Sequence, residues 1–298
     1  METQEPELAL KSRQGTRNCR LRARHRLVTV VLYVLLIALA VPMVVPFYWM
    51  LVSSLKEPSD IFSFPPQWWP DPIRFDAYPN VIESFPVMSW GFNSLKIAVL
   101  NILGQLVSCS LAAYAFARLK FRGRDTIFMI LLTTMMIPGQ VTLVPQFIIM
   151  RYMGLIDTHL ALILPALFGG AFATFLLRQY FRAIPLDLED AARIDGCSSF
   201  GIYWRIFLPL SKPALATISL FTFMWTWNDL ISPVVYLQSR EKFTLTIGLA
   251  YLRGRAIQMT PWDQVFAGAV LTTVPLIILF VAAQRYFVQG LLMSGLKL

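Results

Sequence analysis

Residues 185–213 read PLDLEDAARIDGCSSFGIYWRIFLPLSKP. In a chain otherwise made of long apolar blocks, this stretch is too polar to cross a bilayer. Asp187 is a candidate N-cap, with Asp190 three positions on in the manner of a capping box. Leu188, Ala191 and Ala192 fall at i, i+3 and i+4, a small-residue apolar stripe on one helical face. Gly196 suits a left-handed stop at the helix C-terminus. The spacing predicts a helix of about eight residues, roughly 12 Å long at 1.5 Å per residue. Such a helix can press closely against another surface. The carboxylates of Glu189, Asp190 and Asp195 are then placed to meet basic groups on a partner. A surface helix that only tethers two membrane segments fits the same residues.

The surroundings of this stretch are apolar. Hydrophobic residues make up 56% of the 298 positions and charged residues 14%. Uncharged runs cover 27–55, 97–117, 126–150, 160–177, 213–228 and 264–284. A membrane span needs about 20 mostly apolar residues to cross roughly 30 Å of hydrocarbon. The fifth run reaches that length only by carrying Asp229 into the membrane. An all-α integral membrane protein with six spans follows, at approximately 27–51, 93–117, 126–147, 159–179, 213–236 and 265–287.

The net charge of +9 raises nucleic-acid binding as a possibility, but the basic residues follow topology instead. Eighteen of the 26 Lys and Arg lie in alternate segments: residues 11–26, 118–124, 178–212 and 285–297. Seven lie in the opposite set (Lys56, Arg74, Arg151, Arg240, Lys242, Arg253 and Arg255), and Lys96 sits near a membrane edge. The excess of positive charge puts both termini and segment 180–212 in the cytoplasm. It forms no aromatic-studded basic patch, so nucleic acid is not an expected partner.

The basic start and Ala38-Leu39-Ala40 imitate a signal peptide. However, the apolar stretch runs on through Phe47, Tyr48, Trp49 and Met50, so a retained first span is expected behind a solvated, disordered arm at 1–26. The remainder is one domain, 27–298, with a core at 90–287. Cys19, Cys109 and Cys197 include no CxxC pair, and His25 and His159 stand alone, so no metal site is expected. Loop 52–92 carries Trp68 and Trp69, suited to an outer membrane surface. Pro42, Pro46, Pro138, Pro145, Pro233 and Pro275 interrupt spans. Ordinary kinking and bent helices lining a path are both open readings.

The pattern E-A-A-x-x-x-G, followed after nine residues by I-x-L-P, is the signature loop of ABC-importer permeases, and this chain resembles it. Asp190-Ala191-Ala192, Gly196, Ile206 and Leu208-Pro209 stand at the family's spacing, with Asp190 in the Glu position and Glu189 before it. Further stretches look like the sugar branch, similar to maltose-type permeases: NSLKIA (93–98), AAYAFARLKFRG (112–123), IPGQVTLVPQF (137–147), FTFMWTWND (221–229) and QRYFVQGL (284–291).

The resemblance implies a type I importer permease fold in which 187–199 is a coupling helix. It would sit in a cleft of a cytoplasmic ATP-binding subunit dimer, beside a second permease subunit and an extracytoplasmic solute-binding protein. The chain itself is expected to be no enzyme and to hold no cofactor. None of its seven Lys follows a Gly, as a phosphate-cradling P-loop requires, so ATP belongs to the partner. The substrate is expected to be a sugar or oligosaccharide, with glycerol phosphate or another polyol derivative as the alternative. A secondary transporter would also show kinked spans and an intramembrane acid, but would not need 187–209. Within the membrane, Trp225, Trp227, Asn228 and Asp229 form a polar and aromatic group suited to a sugar. The other reading is that Asp229 ties helices together at the outer interface, through Lys96 or an outer-loop Arg.

Overall fold

The computed structural model describes the backbone of residues 5–254 and 261–295, with side chains described for residue 26, 28–253, 261–282 and 284. Arg255 and Lys297, counted above for topology, lie outside that set. Among the described residues there is no strand. Four helical stretches are long and apolar enough to cross a membrane: Val28–Ser53, Val87–Arg118, Leu160–Ala183 and Trp262–Ala282. Two bent pairs, Arg124–Met136 with Gly139–Tyr152 and Ser199–Leu210 with Lys212–Asn228, raise the number to six if each counts as one span.

From Val28 to Ser53, helix α1 (Glu5–Ser53) carries apolar residues all round, and its side chains from Val28 to Phe47 are exposed. A helix with no polar face and no neighbour on most of its length is suited to lipid. It continues back through the basic segment to Glu5, where an unstructured arm was expected. The loop after it folds onto its end: Tyr48 donates to the Trp68 carbonyl at 2.6 Å, and Trp49 meets Trp68 edge-on at 5.6 Å.

The body is built on α3 (Val87–Arg118), which follows the short α2 (Ala77–Ser84). Next come α4 (Arg124–Thr133) and α5 (Gly139–Tyr152). They meet at 102°, so the third span expected at 126–147 is a bent pair, broken where Pro138 marked an interruption. Pro138 explains the break: it has no N–H to donate back along α4, and it disfavours helical geometry at Ile137, which is extended at ψ 116°.

α6 (Leu160–Leu167) and α7 (Ala171–Ala183) follow, then α8 (Leu186–Ile194) and α9 (Ser199–Ile202). A π-helical turn at Tyr203–Phe207 and the single turn α10 (Leu208–Leu210) lead into α11 (Lys212–Asn228). The expected span 213–236 ends early, because α11 stops at Asn228 and α12 (Ile231–Tyr236) starts afresh. α13 (Leu245–Gly254) and α14 (Trp262–Gly295) complete the order.

Among the described residues, two of the hydrophobic clusters hold the two ends of the bundle. At the end carrying α8, Tyr114, Leu177, Phe181, Ile202, Tyr203, Phe207 and Ile218 pack together, and Tyr114 contacts the rings of Phe181, Tyr203 and Phe207. At the opposite end Val81, Phe85, Trp90, Phe223, Trp227, Leu245 and Ala267 join α2, α3, α11, α13 and α14. Trp90 is wholly buried, and Gly248 of α13 lies so close that a Cβ there would stand 2.0 Å from the ring.

Candidate functional site

Within the segment 185–213, α8 is a short helix hung beneath the ends of α3 and α7. Pro185, not Asp187, is the N-cap of α8, and no side chain caps it. Proline suits that place because the first helical N–H groups have no intrahelical acceptor. Asp187 and Glu189 instead fall in the first turn, where they complement the helix dipole. At the other end Gly196 takes φ +79°. The Cys197 N–H reaches the Ala192 carbonyl at 2.9 Å and the Gly196 N–H reaches Arg193 at 3.0 Å, the paired closure that a left-handed glycine permits. Ser198 then caps α9, accepting from the Gly201 N–H at 3.2 Å.

The stripe drawn from sequence divides. Ala192 is buried against the inner core, but Leu188 and Ala191 are exposed. Glu189 turns inward rather than toward a partner. It is buried, with its carboxylate 3.8 Å from Arg118 Nε and 2.8 Å from Arg193 Nη2. Arg118, in the last turn of α3, also donates to the carbonyls of Phe181 and Ile184 and lies 5.0 Å above the Phe207 ring. One guanidinium thus joins α3, the end of α7, α8 and the π-helical turn.

The outward face is apolar with acidic groups beside it. Leu186, Leu188, Ile194, Phe200 and Trp204 are exposed, Ile194 at 86%. Asp190, Ala191, Asp195 and Gly196 are exposed on the same loop. Phe200 and Trp204 stack at 6.5 Å. Ile206 and Leu208 pack against the inner core, and Pro209 is exposed. Large apolar groups on a solvent-accessible loop mark an interaction surface.

The second group does not assemble as one cluster. Trp225 is 83% exposed, whereas Trp227 is buried, stacks on Phe223 at 5.1 Å and donates to the Thr272 carbonyl at 3.1 Å. Two residues apart on a helix, their rings face different sides. Asn228 donates back to the Met224 carbonyl. Asp229 sits in the break after α11: its carboxylate accepts the Ser232 N–H at 3.2 Å and its carbonyl accepts the Thr246 hydroxyl at 2.8 Å. Among the described residues it forms no ion pair, with Lys96 or any Arg.

Two features escaped the sequence reading. Asn101 and Gln105 of α3 meet Thr226 and Thr222 of α11, a polar rung-pair at i, i+4 spacing on both helices. Two amides inside an apolar run were the available signal. The other is Asp157, at φ 58°. Its carboxylate accepts from the Ser239 hydroxyl, the Ser239 and Gln238 N–H groups at 2.9 Å, and Lys242 Nζ at 2.9 Å. These bonds, the Ser239 hydroxyl first, hold the carboxyl well below the usual carboxylate range. The loop so held is also pinned to α3, because Trp90 and Asn93 donate to the carbonyls of Arg240, Glu241 and Phe243.

The described residues form an all-helical bundle with four to six stretches able to cross a membrane and a short exposed helix between two of them. Residues 106–292 match the family described as binding-protein-dependent transport system inner membrane component, and the chain belongs to that family. It is therefore a multi-pass membrane permease rather than an enzyme, and ATP hydrolysis belongs to a separate subunit.

The chain is similar to the arabinooligosaccharides transport system permease protein AraQ of Halalkalibacterium halodurans, 40% identical over 70% of this chain and 74% of that protein. It is also similar to the lactose transport system permease protein LacG of Rhizobium radiobacter, 33% identical over 91% of this chain and 97% of that protein. A crystal structure of a bacterial ABC transporter involved in the import of the acidic polysaccharide alginate includes a chain 28% identical to this one. The two superpose with TM-score 0.78 over 88% of this chain and 97% of that one.

Proposed function

We propose that this chain is a permease subunit of an ABC importer that carries an oligosaccharide across the cytoplasmic membrane. On this reading it has six spans and both termini in the cytoplasm, with each bent pair crossing as one span. The sugar assignment is supported by the arabinooligosaccharide and lactose permeases and by the alginate importer, to which the chain is similar over most of its length.

The observation that carries the mechanism is the two-sided build of α8. Its inner side is tied to the bundle through Glu189 and Arg118, and its outer side presents Leu186, Leu188 and Ile194, exposed among the described residues. This two-sided build supports reading α8 as a coupling helix. An ATP-binding subunit dimer seats the outer face, and ATP-driven closure moves α8. The Arg118 junction passes the displacement to α3 and α7, and the bundle alternates between outward and inward access. A second permease subunit completes the path, and an extracytoplasmic binding protein delivers the sugar. Trp225, exposed on α11, is the residue of the sequence-predicted group left free to stack on a sugar ring. Trp227 is committed to the core.

The test is uptake. The assembled transporter in proteoliposomes, given its binding protein and ATP, should accumulate radiolabelled oligosaccharide. Glycerol 3-phosphate transported in its place would overturn the sugar assignment while leaving the importer intact.

A further inference from the structure

The basic run around 118–124 follows the membrane topology in sequence, and the fold gathers part of it with α7. A recess opens between the ends of α3, α4 and α7, lined by Phe116, Ala117, Arg124, Asp125, Arg178 and Arg182. Three guanidinium groups there face one carboxylate. Asp125 is largely taken by Arg124, at 3.0 and 3.3 Å, and its nearest approach to Arg178 is 3.9 Å. Arg178 is only 9% exposed, with Nε donating to the Phe116 carbonyl at 3.2 Å and the guanidinium 4.1 Å from the Phe128 ring centroid. Arg182 makes no ion pair with a described residue. The start of α4 has Gly123 in the left-handed region as its N-cap and no side-chain cap. A shelf beside the recess adds Lys120, Phe121 and Thr126.

We propose that this recess binds the phosphate of an anionic phospholipid headgroup. Burying a guanidinium is costly unless an anion compensates it, and one shared carboxylate leaves a positive excess in the pocket. An arginine fork matches phosphate geometry, and an uncapped helix start adds backbone donors. A lipid is favoured over a free anion by what adjoins the recess. Phe121 just before α4 and Ile127 and Ile130 on one face of it are exposed, an apolar strip suited to an acyl chain beside the polar pocket. Basic pockets between spans are suited to such headgroups. The site lies level with the last turns of α3 and α7, and on the proposed topology it faces the inner leaflet.

The experiment uses the assembled transporter, wild type and the Arg124→Gln/Arg182→Gln double variant, which spares the buried Arg178. Each is reconstituted into nanodiscs of phosphatidylcholine with phosphatidylglycerol, released into detergent and examined by native mass spectrometry for retained lipid. Wild type should retain phosphatidylglycerol in preference to phosphatidylcholine, and the double variant should lose that preference by roughly tenfold or more. Both leaflets of a nanodisc carry the lipid, so an incorrect topology would leave this result unchanged. Equal retention of the two lipids, or undiminished preference in the variant, overturns the proposal. So does displacement of the lipid by inorganic phosphate alone, which identifies a free-anion site. Loss of the ATPase subunit from the variant with lipid preference intact identifies a protein contact and overturns it too.

Discussion

Arg118 in the last turn of α3 and Glu189 in the first turn of α8 face each other at 3.8 Å, with 5% and 7% of their side chains exposed. They are 71 positions apart in sequence, and on the proposed mechanism the pair is where force passes from α8 into the spans. Breaking one partner of a buried pair costs about 3–5 kcal/mol, because the other charge is left uncompensated.

Glu189→Gln should therefore lower the melting temperature of the assembled transporter and reduce uptake more than ATP hydrolysis, since docking survives and transmission weakens. The double variant Arg118→Met/Glu189→Leu removes the uncompensated charge but also the donor to the Phe181 and Ile184 carbonyls, so it should recover only part of the stability and none of the uptake. Thermal unfolding and a ratio of sugar carried to ATP hydrolysed read the two effects separately. Recovery of both would reduce the pair to a purely structural role.

Gly196 is held at φ +79° with open space around it, so a side chain there meets no clash but a strained backbone, about 1–2 kcal/mol. Gly196→Trp should abolish uptake while the chain still inserts in the membrane, because the closure of α8 is lost and a bulky ring stands on its outer face. Membrane fractionation with an uptake assay checks both halves.

Gly248→Ala would place a Cβ 2.0 Å from a Trp90 ring that is fully buried and fixed by its bond to Arg240. Overpacking of this kind costs about 1–3 kcal/mol. A lowered melting temperature is expected, and an unchanged one would show that α13 moves aside freely.

Asp157 should keep its loop closed through mild acid. A carboxyl with its folded pKa depressed contributes stability that is complete above the unfolded value, near 3.9, and is lost as pH falls through the folded one. Proteolysis within 237–242 should be equally slow at pH 7 and pH 5 in the wild type. It should be faster at both in Asp157→Asn, which cannot hold Lys242 by charge.

What the sequence made legible was local chemistry. Gly196 closed its helix as its conformational freedom demanded, and apolar runs marked the spans. What it hid was direction. Glu189 and Asp190 are adjacent carboxylates, yet one faces the core and one faces water, because helical residues one apart lie about 100° apart and only the position of α3 decides which is inward. Trp225 and Trp227 separated for the same reason. Asp187 lost the cap position to Pro185, whose missing donor makes it suited to a helix start. The bend at Pro138 was visible as a breaker, but its 102° angle goes with the packing of α5 and α6 around Tyr236 of α12, which sequence does not show.

The central claim is that the outer face of α8 rests on an ATP-hydrolysing partner. A single cysteine at Ile194, in a chain whose own cysteines are replaced by serine, tests it most directly, since that residue is 86% exposed. A short bifunctional reagent applied to inverted membrane vesicles should join it to the ATP-binding subunit, with a yield that changes when ATP is trapped. Labelling of the same cysteine by an impermeant reagent from outside intact cells, with no ATP-binding subunit captured, would contradict the account.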